Sequence, residues 1–427
     1  MVNRTTASFP INNIEQFKQQ MLNWANRFNI CCFLDNHQYP SPFQSVECLV
    51  GVGAVKTFTA TDNILSQLRD FCNRDKDWLF GHLNYDLKNA IEPLQSNHPD
   101  AIGFPDAFLF QPEIVLQLNV DTCSIASLTI DPQSIFTEIQ NSPWSMVHGP
   151  WTIAVQSRIT RQEYTAIIQQ LLHHIHRGDC YEINFCQEFY ATDVQANPLG
   201  LYSRLTAVSP NPFSSFYKLN DKYLLCASPE RYMQRKGNHI ISQPIKGTYK
   251  RDLNNTEADQ QLKTQLQQSE KDRTENVMIV DLVRNDLSRI CKEGSVKVDE
   301  LFGVYTFPQV HQMISTISGD LKENVDFTDM IKATFPMGSM TGAPKRKVME
   351  LIERYEKTKR GIYSGAVGYI SPEKDFDFNV VIRSILYNAS NQYLSYLVGG
   401  GITSQSDPEN EYEECLLKAE AIKQVLL

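Results

Sequence analysis

No stretch of this sequence approaches the roughly 18 uninterrupted apolar residues that a membrane-crossing helix needs. The opening residues, Met1 to Asn13, hold neither an apolar segment nor a small-residue cleavage pattern, so no secretion signal is expected there. C-x-x-C pairs are missing as well. The ten cysteines are scattered, with Cys31-Cys32 the one adjacent pair, which fits reduced, mostly buried thiols in a cytosolic protein. Positive charge is short: 40 Lys and Arg against 49 Asp and Glu leave a net charge of −9. That balance argues against a general nucleic-acid or anionic-membrane binder. The basic clusters Lys345-Arg346-Lys347 and Lys357–Arg360 lie on or beside predicted helices and read as solvated helix faces. No internal repeat is legible.

What is present is ordinary for a folded globule: 42% hydrophobic and 21% charged residues over 427 positions, enough for a sizeable core. Residues 1–150 read as mixed α and β. A helix is expected at Asn13–Phe28, a buried strand at Ile30–Leu34, a helix at Ile64–Cys72 and a strand entering a polar turn at Trp78–Asp86. Pro93 to Pro112 is rich in Pro, Asn and Asp and reads as an irregular connection. The turn-rich stretch Ser142–Pro150 is the natural boundary. Beyond it, Thr160-Arg161-Gln162-Glu163 spells a capping box before the apolar stripe Tyr164, Ile167, Ile168, Leu171, Leu172 and Ile175. Strands are expected over Asn184–Tyr190, Phe213–Leu219, Tyr223–Ser228, Tyr232–Gln234 and His239–Ile245. The last helix opens with Asp407 as cap and Pro408 at its first position.

Pro244-Ile245-Lys246-Gly247-Thr248 places a lysine where Pro and Gly disrupt the sheet ladder. With a reference pKa of about 10.4, a lysine becomes an amine nucleophile near neutrality only if its surroundings strip its proton. Two predicted helices each carry an acidic pair at i, i+3, Asp272/Glu275 and Glu411/Glu414, so each pair shares a helix face. Carboxylates converging from two elements suit Mg²⁺, although acidic residues in a first turn also favour the helix dipole. Gly399-Gly400-Gly401 offers unobstructed backbone N–H groups to an anion. Arg383 interrupts the apolar strand Phe378–Leu386, where a structural ion pair and a bidentate grip on a small carboxylate are both open. His311, among Val310, Met313 and Ile314, reads first as a satisfied core histidine. From residue chemistry, the chain is a cytosolic enzyme for a small anionic substrate.

Five motifs then occur in order: Gly178–Asn184, Pro244–Thr248, Asp281-Leu282-Val283-Arg284-Asn285-Asp286-Leu287, Gly338–Lys345 and Gly399–Ile402. Together they resemble the chorismate-utilising enzymes, the group of anthranilate synthase component I, aminodeoxychorismate synthase component I, and the isochorismate and salicylate synthases. The likeness is dense over about residues 160–424 and looser over 1–150. It implies an α+β fold of two large packed antiparallel sheets with helices outside, an N-terminal region over 1–150 and a chorismate-binding catalytic region over 151–427. By resemblance, Glu275 and Glu414 match Mg²⁺ ligands, with Glu411 as the second acidic position. Arg383 and Tyr363, with the Gly399–Gly401 amides, match groups that grip the enolpyruvyl carboxylate. His311 and Thr341 match residues near the ring, and Glu230 matches the acid that assists departure of the C4 hydroxyl. Gln187 stands where water-adding relatives carry a lysine base, and Lys246 resembles the nucleophile of the aminodeoxychorismate branch. That pattern implies ammonia as the incoming nucleophile, delivered by a separate glutaminase subunit. The alternatives are anthranilate synthase component I and a non-catalytic allosteric subunit. For Glu230 and Lys246 to serve one substrate, the hairpin about Gly237-Asn238 must carry an odd register offset, through a three-residue loop or a bulge.

Overall fold

The structure is a computed structural model that describes residues 3–40, 43, 46–144 and 152–427. Its strands pair antiparallel and branch into two arms from one long strand, Ala107–Leu118. Along the first arm run Ala107–Leu118, Cys48–Phe58, Ile30–Asp35, Phe213–Leu219, Lys222–Ser228, Ser384–Asn388, Tyr393–Ile402 and Glu182–Ala191. The second arm runs from the same strand through Leu79–Leu83, Ala366–Ile370, Phe376–Asn379, Arg231–Lys236 and His239–Gln243 to Val310–Asp320. Ile245–Lys250 and Lys297–Thr306 also pair with that last strand.

Period-two alternation explains the layering. Cys32, Tyr217 and Leu224 join a core shared with Phe80, Met233, Ile240 and Val367 of the second arm, so that core cements the two arms. Their chain neighbours Phe33, Phe216 and Leu225 face the other way, toward Trp24, Tyr164, Ile168 and Ile422 on helices. Strands buried on both faces read as nearly continuous apolar runs, as these do. This is the expected α+β architecture. Residues on either side of position 150 share both arms, since Ile30–Asp35 pairs with Phe213–Leu219 and Leu79–Leu83 with Ala366–Ile370. Of the turn-rich stretch at the expected boundary, 145–150 lie outside the described residues.

Local signals match where chemistry is local. Thr160 and Glu163 make both bonds of the capping box, and Asp407 accepts from the Asn410 N–H at 3.0 Å. The connection expected up to Pro112 is strand from Ala107 onward. Pro112 is tolerated there because it lies beside a register shift opposite Ala54. Arg383 does not sit within a strand. It falls between Phe376–Asn379 and Ser384–Asn388 with φ 50, a left-handed turn conformation that breaks the run in two. The hairpin closes on a two-residue loop pairing Lys236 with His239, and a bulge between Arg231 and Gln234 supplies the odd offset. All ten cysteines are free and buried. Among the described residues, no helix is long and apolar enough to cross a membrane.

Candidate active site

Where the strand ends of both arms meet the helices Glu270–Ser288 and Pro408–Leu426, they enclose a cavity of about 570 Å³. The other described cavities hold about 30 to 260 Å³, so only this one takes a small organic acid with room to spare. Lys246, Glu230, Tyr363, Arg383, Glu275 and Glu414 line it, together with the backbone at Gly399 and Gly401.

Lys246 reaches the cavity because its strand is bulged. The pairing of Ile245–Lys250 with Val310–Asp320 shifts between Ile245 and Thr248, and Gly247 takes φ 86 in the shift. A side chain there would also meet Asp272 Oδ1 at 2.9 Å, so glycine is required twice over. The Lys246 ammonium donates to Glu182 Oε1 at 2.5 Å, from a side chain only 8% exposed. Burial alone would lower this amine. Glu182, Glu275 and Glu230 outweigh it and hold the group above the ordinary lysine range. The resting side chain is therefore an ammonium, contrary to the desolvated amine that a nucleophile requires. Glu230 shows the opposite balance: burial pushes its carboxyl up to about 7, against Ser339, Lys246, the Ile245 N–H and Arg383. Ser339 Oγ donates to its Oε1 at 2.6 Å. A carboxyl poised there can hold a proton near neutrality and give it up. Arg383 is pulled down to about 10 by burial, against Glu230.

Between the helices Glu270–Ser288 and Pro408–Leu426 three carboxylates surround one cation. Lys271 Nζ lies 4.0 Å from Glu275 Oε1, 3.5 Å from Glu411 Oε1 and 3.9 Å from Glu414 Oε2. Glu275 Oε1 is buried with no hydrogen-bond partner, and burial pushes its carboxyl up to about 7. Among the described residues, no three His, Cys, Asp or Glu side chains stand close enough to form a ready metal cage. The chemistry of the set still fits a hard divalent cation, because its donors are carboxylate oxygens and one of them is orphaned.

Comparison with known proteins places this geometry. The chorismate binding enzyme family matches residues 32–424. This chain belongs to that family. It is accordingly an enzyme that uses chorismate. It is 40% identical over 385 residues to aminodeoxychorismate synthase component 1 of Escherichia coli, covering 86% of this chain and 83% of the relative. The corresponding Salmonella typhimurium protein is 38% identical over 347 residues, 80% of this chain and 75% of its own. Anthranilate synthase component 1 of Saccharolobus solfataricus is 31% identical over 363 residues, 84% and 82%. The fold is shared with anthranilate synthase component I from Streptococcus pneumoniae, at TM-score 0.75 and 24% identity over 90% of this chain and 94% of that one. It is shared too with the menaquinone-specific isochorismate synthase from Escherichia coli, at TM-score 0.76 and 18% identity over 100% and 95%.

In this chorismate binding enzyme five expected residues stand off the cavity wall, among them Glu411, which accepts from Ser406 Oγ at 2.7 Å. Gln187 lies on the far side of its strand, accepting from Ser157 Oγ at 3.0 Å and donating to Cys415 Sγ at 3.3 Å. From that strand Asn184 lines the cavity, and Glu182, five positions before Gln187, meets Lys246 Nζ; neither is among the expected site residues. His311 is a core histidine, bonded to Thr306 Oγ1 at 3.1 Å and Asp259 Oδ1 at 3.0 Å. Strand alternation sends its neighbour Gln312 into the cavity instead. Thr341 turns back on its own loop, donating to Met337 O at 3.1 Å, while Ser339 and Met340 take the wall. Gly400 faces Glu411, Glu414 and Lys418 rather than the cavity. The glycine run is not loose backbone either: Gly399, Gly400 and Gly401 pair with Cys186, Phe185 and Asn184, leaving one edge without a strand among the described residues. Strand parity was the available signal for Glu182, and reading the strand from Asn184 cut that residue off.

Proposed function

We propose that this enzyme is an aminodeoxychorismate synthase component 1, converting chorismate and ammonia to 4-amino-4-deoxychorismate for 4-aminobenzoate and folate synthesis. The observation that carries the reading is that Lys246 and Glu230 line one substrate-sized cavity, a buried amine beside a carboxyl poised near neutrality. The likeness to aminodeoxychorismate synthases at 38% and 40% identity supports it. In the proposed reaction the Lys246 lone pair forms an N–C2 bond, and the two conjugated ring double bonds shift toward C4. The C4–O bond breaks, and the hydroxyl leaves as water with the proton of Glu230. Ammonia then adds at C4, the double bonds shift back and Lys246 leaves C2.

Arg383, with Tyr363, lines the cavity and would grip the enolpyruvyl carboxylate, a task suited to a planar cation. Glu275 and Glu414, with Glu411 behind them, would hold Mg²⁺, which supplies charge neutralisation at the ring carboxylate. Lys271 must then swing aside from its place among them. Ammonia is proposed to come from a separate glutaminase subunit. The test is purified chain with chorismate, Mg²⁺ and ammonium, the product read by mass. Release of 4-amino-4-deoxychorismate is expected. Anthranilate with pyruvate would establish the anthranilate synthase reading instead, and unchanged chorismate would point to a binding subunit.

A further inference from the structure

A nucleophilic Lys246 must lose a proton, yet the resting site holds it as an ammonium. We propose that Glu182 is the base that takes this proton, which makes it a catalytic residue alongside Lys246. The inference rests on the covalent reading of Lys246 and names the group that reading leaves unassigned. Glu182 opens the strand Glu182–Ala191, and its backbone is fixed by pairing with Ala343. Its side chain is 1% exposed; Oε1 touches Lys246 Nζ, and Oε2 is buried with no hydrogen-bond partner. A structural counter-ion is normally satisfied at both oxygens, and this one keeps a free acceptor beside the reacting atom.

Other charged groups face Lys246 from every side: Glu230 before its hairpin, Glu275, Asp272 and Lys271 on one helix, Glu414 and Lys418 on another, and Arg383 from its turn. Glu230 must keep its proton to serve as the acid, and Glu275 and Glu414 face the cation site. Glu182 is the carboxylate in hydrogen-bond contact that has no other task. The transfer balances: one N–H proton moves to Oε1, and the freed pair on Nζ forms the N–C2 bond. When Lys246 later leaves as a neutral amine, the proton returns from Glu182. Substrate entry expels water, and a dry site favours the neutral amine and acid over the ion pair.

The experiment follows the covalent Lys246 adduct by intact mass and peptide mapping, with chorismate and Mg²⁺ but no ammonium, between pH 6 and 9. Wild type should form the adduct at a rate that declines on the alkaline side as Glu230 loses its proton, with no limb that rises with pH. Glu182→Gln keeps shape and an acceptor but cannot take a proton. Its adduct should form about 100-fold more slowly than wild type at pH 7, a deficit that shrinks by roughly tenfold per pH unit as hydroxide does the work. Glu182→Asp keeps a carboxylate and should keep the wild-type profile, which covers the case of a Gln variant that folds poorly. Adduct formation by Glu182→Gln at the wild-type rate or faster at pH 7 overturns the proposal, leaving Glu182 as a counter-ion. A deficit to wild type in Glu182→Asp that shrinks by roughly tenfold per pH unit overturns it too. No adduct in wild type overturns the covalent reading itself, and this inference with it.

Discussion

Two buried lysines in this chain look alike by every local measure except one. Lys18 is 3% exposed and donates to Asp35 at 2.8 Å and to Glu47 at 2.5 Å. Lys246 is 8% exposed and donates to Glu182. Burial pulls both amines down, and neighbouring carboxylates hold both above the ordinary range. The difference lies in what surrounds the pair. Around Lys18 the carboxylates are used up: Asp35 Oδ1 also accepts from the His37 N–H, and Glu47 accepts from the Gln38 N–H and Asn36 Nδ2. The cavity beside them holds about 60 Å³. Around Lys246, one oxygen each of Glu182 and Glu275 is orphaned and the cavity is nearly tenfold larger. Pairing marks a lysine that a fold can bury; unspent acceptors and open space are what the proposed nucleophile would need.

The sharpest way to break that contrast is to remove each lysine. Lys246→Ala should abolish both adduct and amino product in mass analysis while the protein still folds, because a large cavity accepts the truncation. Persistence of an adduct in that variant would locate the nucleophile elsewhere. Lys18→Met should do the reverse. It strands Asp35 and Glu47 in the interior, a loss of about 3–5 kcal/mol in urea denaturation, with kcat per folded molecule unchanged. Equal stability losses for the two variants would erase the distinction.

Glu230 offers the next effect. With its folded pKa at about 7, the acid form is present below that value and lost above it. The wild-type kcat should therefore decline on the alkaline side. Glu230→Gln should lower kcat by roughly 100-fold at pH 6.5 and remove that limb. An unchanged alkaline limb in the variant would assign it to another group.

Glu275 then predicts a stability profile. Its folded pKa is raised from 4.5 to about 7, so the folded state binds a proton that the unfolded state has released. Stability should fall as pH rises between those values and level off above, by about 3 kcal/mol for this group. Glu275→Gln should flatten that slope in urea titrations without metal. Added Mg²⁺ at pH 8 should raise the wild-type midpoint and leave the variant's in place. A Mg²⁺ response that survives in the variant would detach the cation from Glu275.

Much of the fold was legible, because caps, turns and apolar runs are local chemistry. The Thr160 box, the Asp407 cap and the strand Phe213–Leu219 appear as read. Glu230 and Lys246 line one cavity, and the demand that they share it required the register offset that the bulge supplies. Strand parity at the wall was not. His311 and Gln312 differ by one position, and only the bulged pairings of Val310–Asp320 decide which of them faces the cavity. Gln187 and Glu182 differ by an odd number of residues, so one strand sends them to opposite faces. Bulges are set by tertiary contact, and no short window of sequence carries them.

The smallest expected effect tests the slack around Lys246 directly. A Cβ at Gly401 would lie 2.7 Å from Glu182 Oε1 and 3.0 Å from Lys246 Nζ. Both atoms are the far ends of flexible chains beside an open cavity, so they can yield by a few tenths of an ångström. The methyl should therefore disturb the ion pair and not the fold. Gly401→Ala is expected to slow adduct formation by several-fold, on the order of 1 kcal/mol in the barrier, with no measurable change in Tm. Gly399 is the contrasting neighbour. A Cβ there would meet Phe185 O at 2.1 Å, and that atom belongs to the paired backbone, which cannot retreat without breaking the ladder. Gly399→Ala should lower Tm clearly. If instead Gly401→Ala destabilises the protein as much as Gly399→Ala does, the Lys246–Glu182 pair is packed as rigidly as the Lys18 cluster. The contrast between a structural and a reactive lysine would then have to rest on the cavity alone.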